Sequence, residues 1–426
     1  VDYDGDGVLD ADEPSVRTDA DGSFSLATTQ VAPIVVLTDA TTIDNSTGNA
    51  IGAGIVLKAP AGASVVSPTT TLVANGASEA QVKAALGLSS SVDLNTFNPF
   101  AAGADATEAL AYEKASVQIF ATISAVASAA QGAGVNQAAA QAAAFSALAS
   151  AVTSAATAST QIDLSDATTV SQVMASTGTS LSDQIDATAF QASSTQVAAA
   201  VSNTNTAVAA LTSFTSTAAM QTIAVATTTL GEQVKAGVQG VVNNPGSTVQ
   251  IGLSDANQVA STISSANLAP TDLALSASTI LESAQSLVVA TVAITDGNPS
   301  DSHTLTLGGA DAALFTLSGT TLSLKSAPDY EVKASYTISI TATDAGNKSY
   351  SESFTISVGD VNEAPVLAAP GSKSLTEDAQ TSTVSGALSA ADPEGASLSY
   401  ELVNGTLASG SYTLTGTYGT LVLNGA

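Results

Sequence analysis

The spacing of apolar positions changes twice along the chain and divides it into regions. Residues 1–62 hold short apolar runs such as IVVL between turn-forming residues, which predicts short β-strands. From 63 to 267, apolar residues recur three and four positions apart, and this spacing predicts α-helices. Beyond residue 268, apolar and polar residues alternate, as in SYTISITATD, and the alternation predicts β-strands again.

The region 63–267 is dominated by Ala, Ser, Thr, Gln and Val, and several helix starts are marked in it. Ser78–Gln81 and Asp105–Glu108 follow the capping-box pattern, in which the first and fourth residues satisfy each other's backbone amides. The tripeptide Leu-Ser-Asp at 164–166 and 253–255 offers side-chain oxygens to the free amides of a first helical turn. One helical face is predicted from the spacing of Ile119, Ile123, Val126 and Ala130. We therefore expect a bundle of closely packed helices.

Strands at regular spacing, separated by Gly, Asp and Pro turns, favour an antiparallel β-sandwich for the C-terminal part. The sequence thus predicts a multidomain chain with four parts. These are a short-stranded β unit (1–62), an Ala/Ser/Thr-rich α-helical region (63–267), an antiparallel β-sandwich (268–365) and a truncated second β repeat (366–426).

The composition narrows the classes of partner. The formal net charge is -28, from 37 acidic and 9 basic residues, which argues against nucleic acid as a partner. Cysteine is absent, which excludes disulfides and thiolate chemistry. We find no stretch apolar enough to insert into a membrane as a helix of about 20 residues. A soluble, extracellular protein is expected.

The opening stretch DYDGDGVLDADE has the spacing D-x-D-x-D-G-x5-E of a calcium loop. Its predicted ligands are the side chains of Asp2, Asp4, Asp6, Asp10 and Glu13 and the carbonyl oxygen of Val8. A solvated acidic turn is the alternative. Because Val1 alone precedes the loop, we expect the chain to start inside a domain. Asp21-Gly22 further predicts a turn that leads into a strand.

Five motifs follow one another within 268–365: LESAQ, AITDG, DYE, ATDAGN and DVNEAP. Together they resemble a bacterial cadherin-like domain. In that family, carboxylates at the base of one sandwich and at the top of the next hold calcium ions in the linker, and calcium stiffens the array. The resemblance therefore implies Ca²⁺ as the cofactor and neighbouring repeats of the parent chain as partners.

The resemblance also implies particular ligands. At the base of the sandwich it implies Glu282, Asp329, Glu331, Asp360, Asn362 and Glu363, and from the next module Asp392 and Glu394. At the upper end it implies Asp296 and Asp344, with Asp301 as a further acid. The stretch SANLAP keeps Asn267 where the family has an acidic linker.

Two further segments resemble modules of bacterial surface proteins. Residues 366–426 resemble the opening of another cadherin-like or VCBS-type repeat, as found in very large adhesins. The opening calcium loop resembles a unit of B-type repeats. These resemblances imply an adhesin that is secreted or held at the cell surface.

The sequence favours a scaffold over an enzyme. The single histidine, His303, lies in a strand-like stretch, where a structural role is the default, and there is no tryptophan to form a sugar-binding platform. A calcium-stiffened structural or adhesive segment is the first hypothesis. The alternative is a module in which the helical region or the sandwich loops bind a cell-surface glycan or protein.

Overall fold

The computed structural model describes residues 1–3, 10–19, 22–28, 30–44, 47–374, 383–417 and 419–424. The chain forms two compact units. The first comprises 1–272, 294–304 and 342–350, and the second comprises 273–293, 305–341 and 351–426.

The N-terminal part contains one antiparallel pair, β1 (Ile34–Leu37) and β2 (Val56–Ala59). The backbone amide of Asp19 donates to the carbonyl of Ser23 at 2.8 Å. Asp21 of the predicted turn lies outside the described residues. The predicted strand after this turn is wrong, because residues 22–28 form no strand. Its alternating SFSL has no neighbouring strand with which to exchange backbone hydrogen bonds, and alternation alone does not supply one.

The first unit is mainly helical. Among the described residues it contains nine α-helices: α1 (Pro68–Ala74), α2 (Glu79–Leu86), α3 (Ala106–Gly132), α4 (Gln137–Thr157), α5 (Ala167–Ser180), α6 (Ala187–Ala209), α7 (Thr217–Ala224), α8 (Leu230–Asn243) and α9 (Ala256–Ser264). A π-helical turn at Val225–Thr229 joins α7 to α8.

Most of the predicted helix starts are confirmed. Ser78 caps α2 with a complete capping box to Gln81, and Asp105 caps α3 by accepting from two backbone amides. Asp166 and Asp255, the last residues of two Leu-Ser-Asp tripeptides, cap α5 and α9. The predicted helical face is also confirmed, because Ile119, Ile123, Val126 and Ala130 are all buried.

Small residues bring the helices close together. A Cβ atom added at Gly132, the last residue of α3, would lie 2.8 Å from the carbonyl oxygen of Lys235 and 2.8 Å from Cβ of Val238 in α8. Such a distance leaves no room for a side chain. The close approach of α3 and α8 therefore depends on the missing side chain at this position.

The expectation that no segment could cross a membrane needs correction for α4. Among the described residues, this helix is long and apolar enough by length and composition, and 44% of its most apolar window is buried. Its inner face carries Phe145, Leu148 and Val152 into the core shared with the other helices. A core helix built mostly from Ala has the same composition as a membrane span.

The predicted sandwich region contains two four-stranded sheets. Its strands are β3 (Pro270–Leu275), β4 (Thr279–Leu281), β5 (Val288–Asp296), β6 (His303–Gly308), β7 (Phe315–Ser318), β8 (Thr321–Leu324), β9 (Ser335–Asp344) and β10 (Ser349–Gly359). The sheet orders are β3-β5-β8-β7 and β4-β10-β9-β6. Phe315 and Tyr336, one from each sheet, pack edge to face with ring centroids 5.4 Å apart.

One strand pair departs from the expected antiparallel arrangement. β4 and β10 run parallel, with Leu281 opposite Gly359. The two strands are separated by β5 to β9 along the chain, and such a long connection permits a parallel pairing that a tight turn would exclude. This pair determines which side chains meet at the end of the sheet.

The described part of the last region, 366–426, forms two small sheets. Val366–Leu367 (β11) pairs with Ala390–Ala391 (β12), and a three-stranded meander follows from β13 (Thr406–Ala408), β14 (Ser411–Gly416) and β15 (Gly419–Asn424). Among the described residues of this region, several large apolar side chains are exposed, among them Leu407 and Leu421.

Candidate metal centre

Strand geometry brings two predicted ligands to the same sheet end. Because β4 and β10 are parallel, both reach this end with their carboxyl termini. Glu282 directly follows β4 and Asp360 directly follows β10, and the amide of Glu282 donates to the carbonyl of Gly359 at 3.2 Å. The parallel pair thus places the two residues at neighbouring backbone positions.

Glu282 ties two neighbouring segments together. One carboxylate oxygen accepts from the amide of Tyr330 at 2.7 Å, and the other accepts from the amide of Val361 at 2.6 Å. The residue is 9% exposed. A buried carboxylate held by two backbone amides is fixed in position. Asp329 and Glu331 lie on one of the two segments, and Asp360 lies on the other.

Five carboxylates form what we call the junction cluster: Glu282, Asp329, Glu331, Asp360 and Glu394. One oxygen of each of Glu282, Asp329 and Glu331 lies within 4.8 Å of the others, and Glu331, Asp360 and Glu394 meet the same condition. Since Glu331 belongs to both groups, the cluster is continuous. Glu394 comes from the segment after β12, so the cluster joins the sandwich region to the next module.

The remaining predicted ligands lie at the edge of the junction cluster. The amide of Glu363 donates to the carboxylate of Glu394 at 2.7 Å. Asp392 accepts from the amide of Ala396 at 3.0 Å and so shapes the turn that presents Glu394. The side-chain amide of Asn362 donates to the carbonyl of Glu363 at 3.1 Å. The role of Asn362 as a ligand stays a prediction.

A shared hydrogen bond, lost hydration and mutual repulsion shift the pKa values of carboxyl groups in and beside the junction cluster. A hydrogen bond shared with Glu394 raises the pKa of Glu363 to about 7, and lost hydration and the charges of Glu282 and Glu331 act in the same direction. Lost hydration raises the pKa of Glu331, and the charges of Glu282, Asp360 and Glu394 add to this. Hydrogen bonds from Glu363 lower the pKa of Glu394.

The cluster has no basic partner among the described residues. The ion pairs found there are Arg17–Asp39, Lys83–Glu79 and Lys333–Asp311, and the ring of His303 contacts Asp296. The nearby lysine, Lys333, is thus paired with Asp311 outside the cluster. In addition, one oxygen of Glu363 and one of Glu394 are buried, and no amide or hydroxyl group of the described residues donates to them. Oxygen atoms of this kind suit a hard cation such as Ca²⁺.

A second group, the upper cluster, consists of Asp296, Asp301 and Asp344, with one oxygen of each within 4.8 Å of the others. Asp296 ends β5 and Asp344 ends β9. The Asp296 side chain is 3% exposed and Asp344 is 5% exposed. One oxygen of Asp301 is buried without a hydrogen-bond partner in the described part of the chain. Asp301 therefore belongs to this cluster, together with the predicted ligands Asp296 and Asp344.

Neutral and basic side chains hold the upper cluster in place. His303 Nε2 lies 2.8 Å from a carboxylate oxygen of Asp296. The Asn267 side-chain amide donates to Asp344 at 2.8 Å. Asn298 accepts from the amide of Leu268 at 2.6 Å and donates to the carbonyl of Ala266 at 3.2 Å. Asn298 was not predicted as a residue of this site. The available signal was the position of Asn298 in a turn, two residues after Asp296.

The N-terminal loop is described in part. Glu13 is buried and accepts from the amides of Tyr3 and Asp10, so it closes the two ends of the loop against each other. Asp2 is also buried, and its amide donates to the carbonyl of Pro33 at 3.0 Å. The predicted ligands Asp4, Asp6 and Val8 lie outside the described residues.

A cavity of about 250 Å³ lies between α5 and α6. It is lined by apolar and uncharged polar residues, among them Met174, Ile185, Phe190 and Gln191. Its volume is below the range of about 300–1,000 Å³ that is usual for small-molecule sites. It offers no carboxylate to a metal ion.

The comparisons with known proteins give structural neighbours alone. No family model matches the chain, and no curated protein matches it. Neighbours among solved structures include cadherin extracellular domains. Human protocadherin-24 EC1-2 has 22% identity and a TM-score of 0.22, with 30% of this chain and 60% of that chain covered.

Two further neighbours are of the same kind. PcdhgB3 EC1-4 has 23% identity and a TM-score of 0.24, with 36% of this chain and 41% of that chain covered. Protocadherin Gamma B2 extracellular cadherin domains 3-6 has 19% identity and a TM-score of 0.23, with 36% and 39% covered. The chain thus covers less than two thirds of each neighbour. TM-scores this low carry no argument about function. The functional proposal therefore rests on the residues of the junction cluster and the upper cluster.

Proposed function

We propose that this chain is a calcium-binding structural segment of an extracellular adhesion protein, in which Ca²⁺ stiffens the junction between β modules. The observation that carries the proposal is the junction cluster. Five carboxylates from two consecutive modules converge, and among the described residues none of them pairs with Lys or Arg. A divalent cation would remove their repulsion and link the modules at the same time.

The roles of the residues follow from their positions. Glu331 would be a ligand shared between two ions, because it belongs to both groups of carboxylates. Glu282 would orient the site through its two backbone hydrogen bonds. Glu394, with Asp392 shaping its turn, would be the contribution of the following module. The upper cluster, with Asp296, Asp301 and Asp344, would hold a further ion.

The partners and the location belong to the same proposal. The neighbouring repeats of a longer bacterial chain would be the direct mechanical partners, and the place of action would be outside the cell or at its surface. Millimolar extracellular calcium would keep a site of modest affinity filled. The alternative, a module that binds a glycan or protein, has weaker support, since the cavity between α5 and α6 is small and a second cavity of about 430 Å³ beside α8 is lined by small and uncharged residues, among them Gln233 and Thr248.

Small-angle scattering of the whole chain tests this proposal, in millimolar Ca²⁺ and in chelator. A calcium-stiffened junction predicts a larger and better-defined maximum dimension with Ca²⁺. Glu331→Gln should abolish the difference, because both groups lose their common oxygen ligand. Glu401→Gln removes one charge in the same module outside the cluster and should behave as the parent chain. Identical scattering of the parent chain in the two conditions would reject the stiffening role.

A further inference from the structure

The ammonium group of Lys333 is held by a fixed carboxylate outside the junction cluster. Its Nζ atom lies 2.5 Å from Oδ1 of Asp311. The other carboxylate oxygen of Asp311 accepts from the amide of Thr337 at 2.7 Å, and the Asp311 amide donates to the carbonyl of Thr337 at 3.1 Å. Because Thr337 lies in β9, the side chain and the backbone of Asp311 are both anchored to this strand.

An aromatic ring contacts the same ammonium group. The Nζ atom of Lys333 lies 5.3 Å from the centroid of the Tyr336 ring, which is within the range of about 6 Å for a cation–π contact. Tyr336 is 7% exposed, and its ring packs against Phe315, so its position is also fixed. Neither Asp311 nor Tyr336 belongs to the junction cluster.

The backbone of Lys333, in contrast, belongs to the segment that carries two carboxylates of the cluster. Its amide donates to the carbonyl of Asp329 at 2.9 Å, and Lys333 follows Glu331 by two residues. Lysine carries its charge on a flexible four-carbon stem. The direction of this stem therefore decides whether the charge lies at Asp311 or near the carboxylates of Asp329 and Glu331.

The charge of the cluster favours the second position unless Asp311 opposes it. Among the described residues, the five carboxylates of the cluster make no ion pair with Lys or Arg. An opposite charge within about 4–6 Å stabilises a carboxylate anion, so the cluster attracts an ammonium group. An ammonium group has only three donors, whereas Ca²⁺ takes about six to eight oxygen ligands. A lysine there would compete with the ion without linking the carboxylates as the ion does.

We infer that Asp311 is a positioning residue of the proposed calcium site, because it holds the Lys333 ammonium group away from the junction cluster. The carboxylates of Asp329 and Glu331 then stay available to the divalent ion. The inference rests on the proposed function, since it concerns the control of the same site. It adds that a carboxylate outside the cluster sets the calcium affinity of the cluster.

Titration of the whole chain with Ca²⁺, followed through the NMR signals of two backbone amides, tests the inference locally. The amides of Tyr330 and Val332 are suitable reporters, because they donate to the carboxylates of Glu282 and Asp329. Asp311→Asn removes the charge and keeps a side-chain oxygen as an acceptor. It should weaken the calcium affinity at both reporters several-fold.

Removal of the lysine separates competition from a structural effect of Asp311. Asp311→Asn combined with Lys333→Met should restore the affinity of the parent chain, because the competing charge is gone. The matched control combines Asp311→Asn with Lys325→Met, and it should stay weak, since Lys325 donates to a backbone carbonyl. Equal affinity in the parent chain and Asp311→Asn would overturn the inference, as would weak binding that Lys333→Met does not restore.

Lys333→Met alone gives a test that does not depend on the folding of Asp311→Asn. Its calcium affinity should stay close to that of the parent chain, because the ammonium group is already held elsewhere. Binding that is several-fold tighter would show that Lys333 occupies the cluster despite Asp311, and it would overturn the inference. A parent chain in which neither reporter responds to calcium would instead overturn the proposed function, and the inference with it.

Discussion

At the level of single residues, Glu363 and Glu394 share hydrogen bonds. A proton and a metal ion would compete for the oxygen atoms of these two carboxyl groups. The pKa of Glu363 is raised to about 7, so this carboxyl holds a proton at pH values where an isolated glutamate does not. Without calcium, a raised pKa in the folded state stabilises the junction at low pH. This contribution is lost as the pH rises through about 7.

Calcium affinity should therefore depend on pH in a defined direction. Because Ca²⁺ must displace the proton of Glu363, the affinity of the junction should rise between about pH 5 and pH 8 and then level off. Calorimetric titration at a series of pH values measures this. In Glu363→Gln the rise should be much smaller. A parent chain whose affinity is the same at both ends of this range would contradict the assignment.

Glu113 gives a second prediction, which concerns stability. Its pKa moves from 4.5 to about 7 in the folded chain, so folding stability is retained at low pH and decreases as the pH rises through about 7. The shift corresponds to roughly 3 kcal/mol well above pH 7. Glu113→Gln should thus raise the melting temperature in chelator at pH 8 and change little at pH 4. An equal effect at both pH values would show that the charge of Glu113 is not responsible.

The residues also show what the sequence could predict about the site. The acids at the base were identifiable because their motifs resemble those of cadherin-like domains, and the structure brings Glu282, Asp329, Glu331, Asp360 and Glu394 together. The hydrogen-bonding partners were not identifiable. Whether Asn298 or His303 reaches a carboxylate depends on the path of a turn, and sequence spacing does not determine that path.

At the level of helices and strands, local signals predicted the N-terminal ends of four helices well. A Ser or Asp at an N-cap acts within its own first turn, so Ser78, Asp105, Asp166 and Asp255 needed no knowledge of the rest of the chain. The parallel pairing of β4 with β10 was not predictable in the same way. It joins segments that are far apart in sequence, and alternation is the same in parallel and antiparallel strands.

Two helical glycines provide a matched test of the packing between α3 and α8. Gly132→Ala places a Cβ atom 2.8 Å from the Lys235 carbonyl and from Val238 Cβ, and it should destabilise the chain by about 1–3 kcal/mol. Gly240→Ala, within α8, meets nothing within 4 Å. It should stabilise by about 0.5–1 kcal/mol, because alanine is the better helix former. Chemical denaturation measures both, and equal effects would contradict the close approach of the two helices.

At the scale of the whole molecule, the division into helices and sheets follows the change in apolar spacing along the chain. Short segments near turns were less predictable, as the missing strand at 22–28 illustrates. Composition alone also does not determine the place of α4, because Ala-rich core helices and membrane spans have similar hydropathy. In such cases tertiary neighbours decide the outcome, and a single stretch of sequence does not contain them.

Calcium binding by the junction cluster can be measured by calorimetric titration of the chelator-treated whole chain with Ca²⁺. The titration compares the parent chain, Glu331→Gln and the control Glu401→Gln. We predict that the parent and the control bind alike, and that Glu331→Gln loses the junction sites or binds at least about tenfold more weakly there, which is about 1.4 kcal/mol. Equal stoichiometry and affinity in all three chains would contradict the claim.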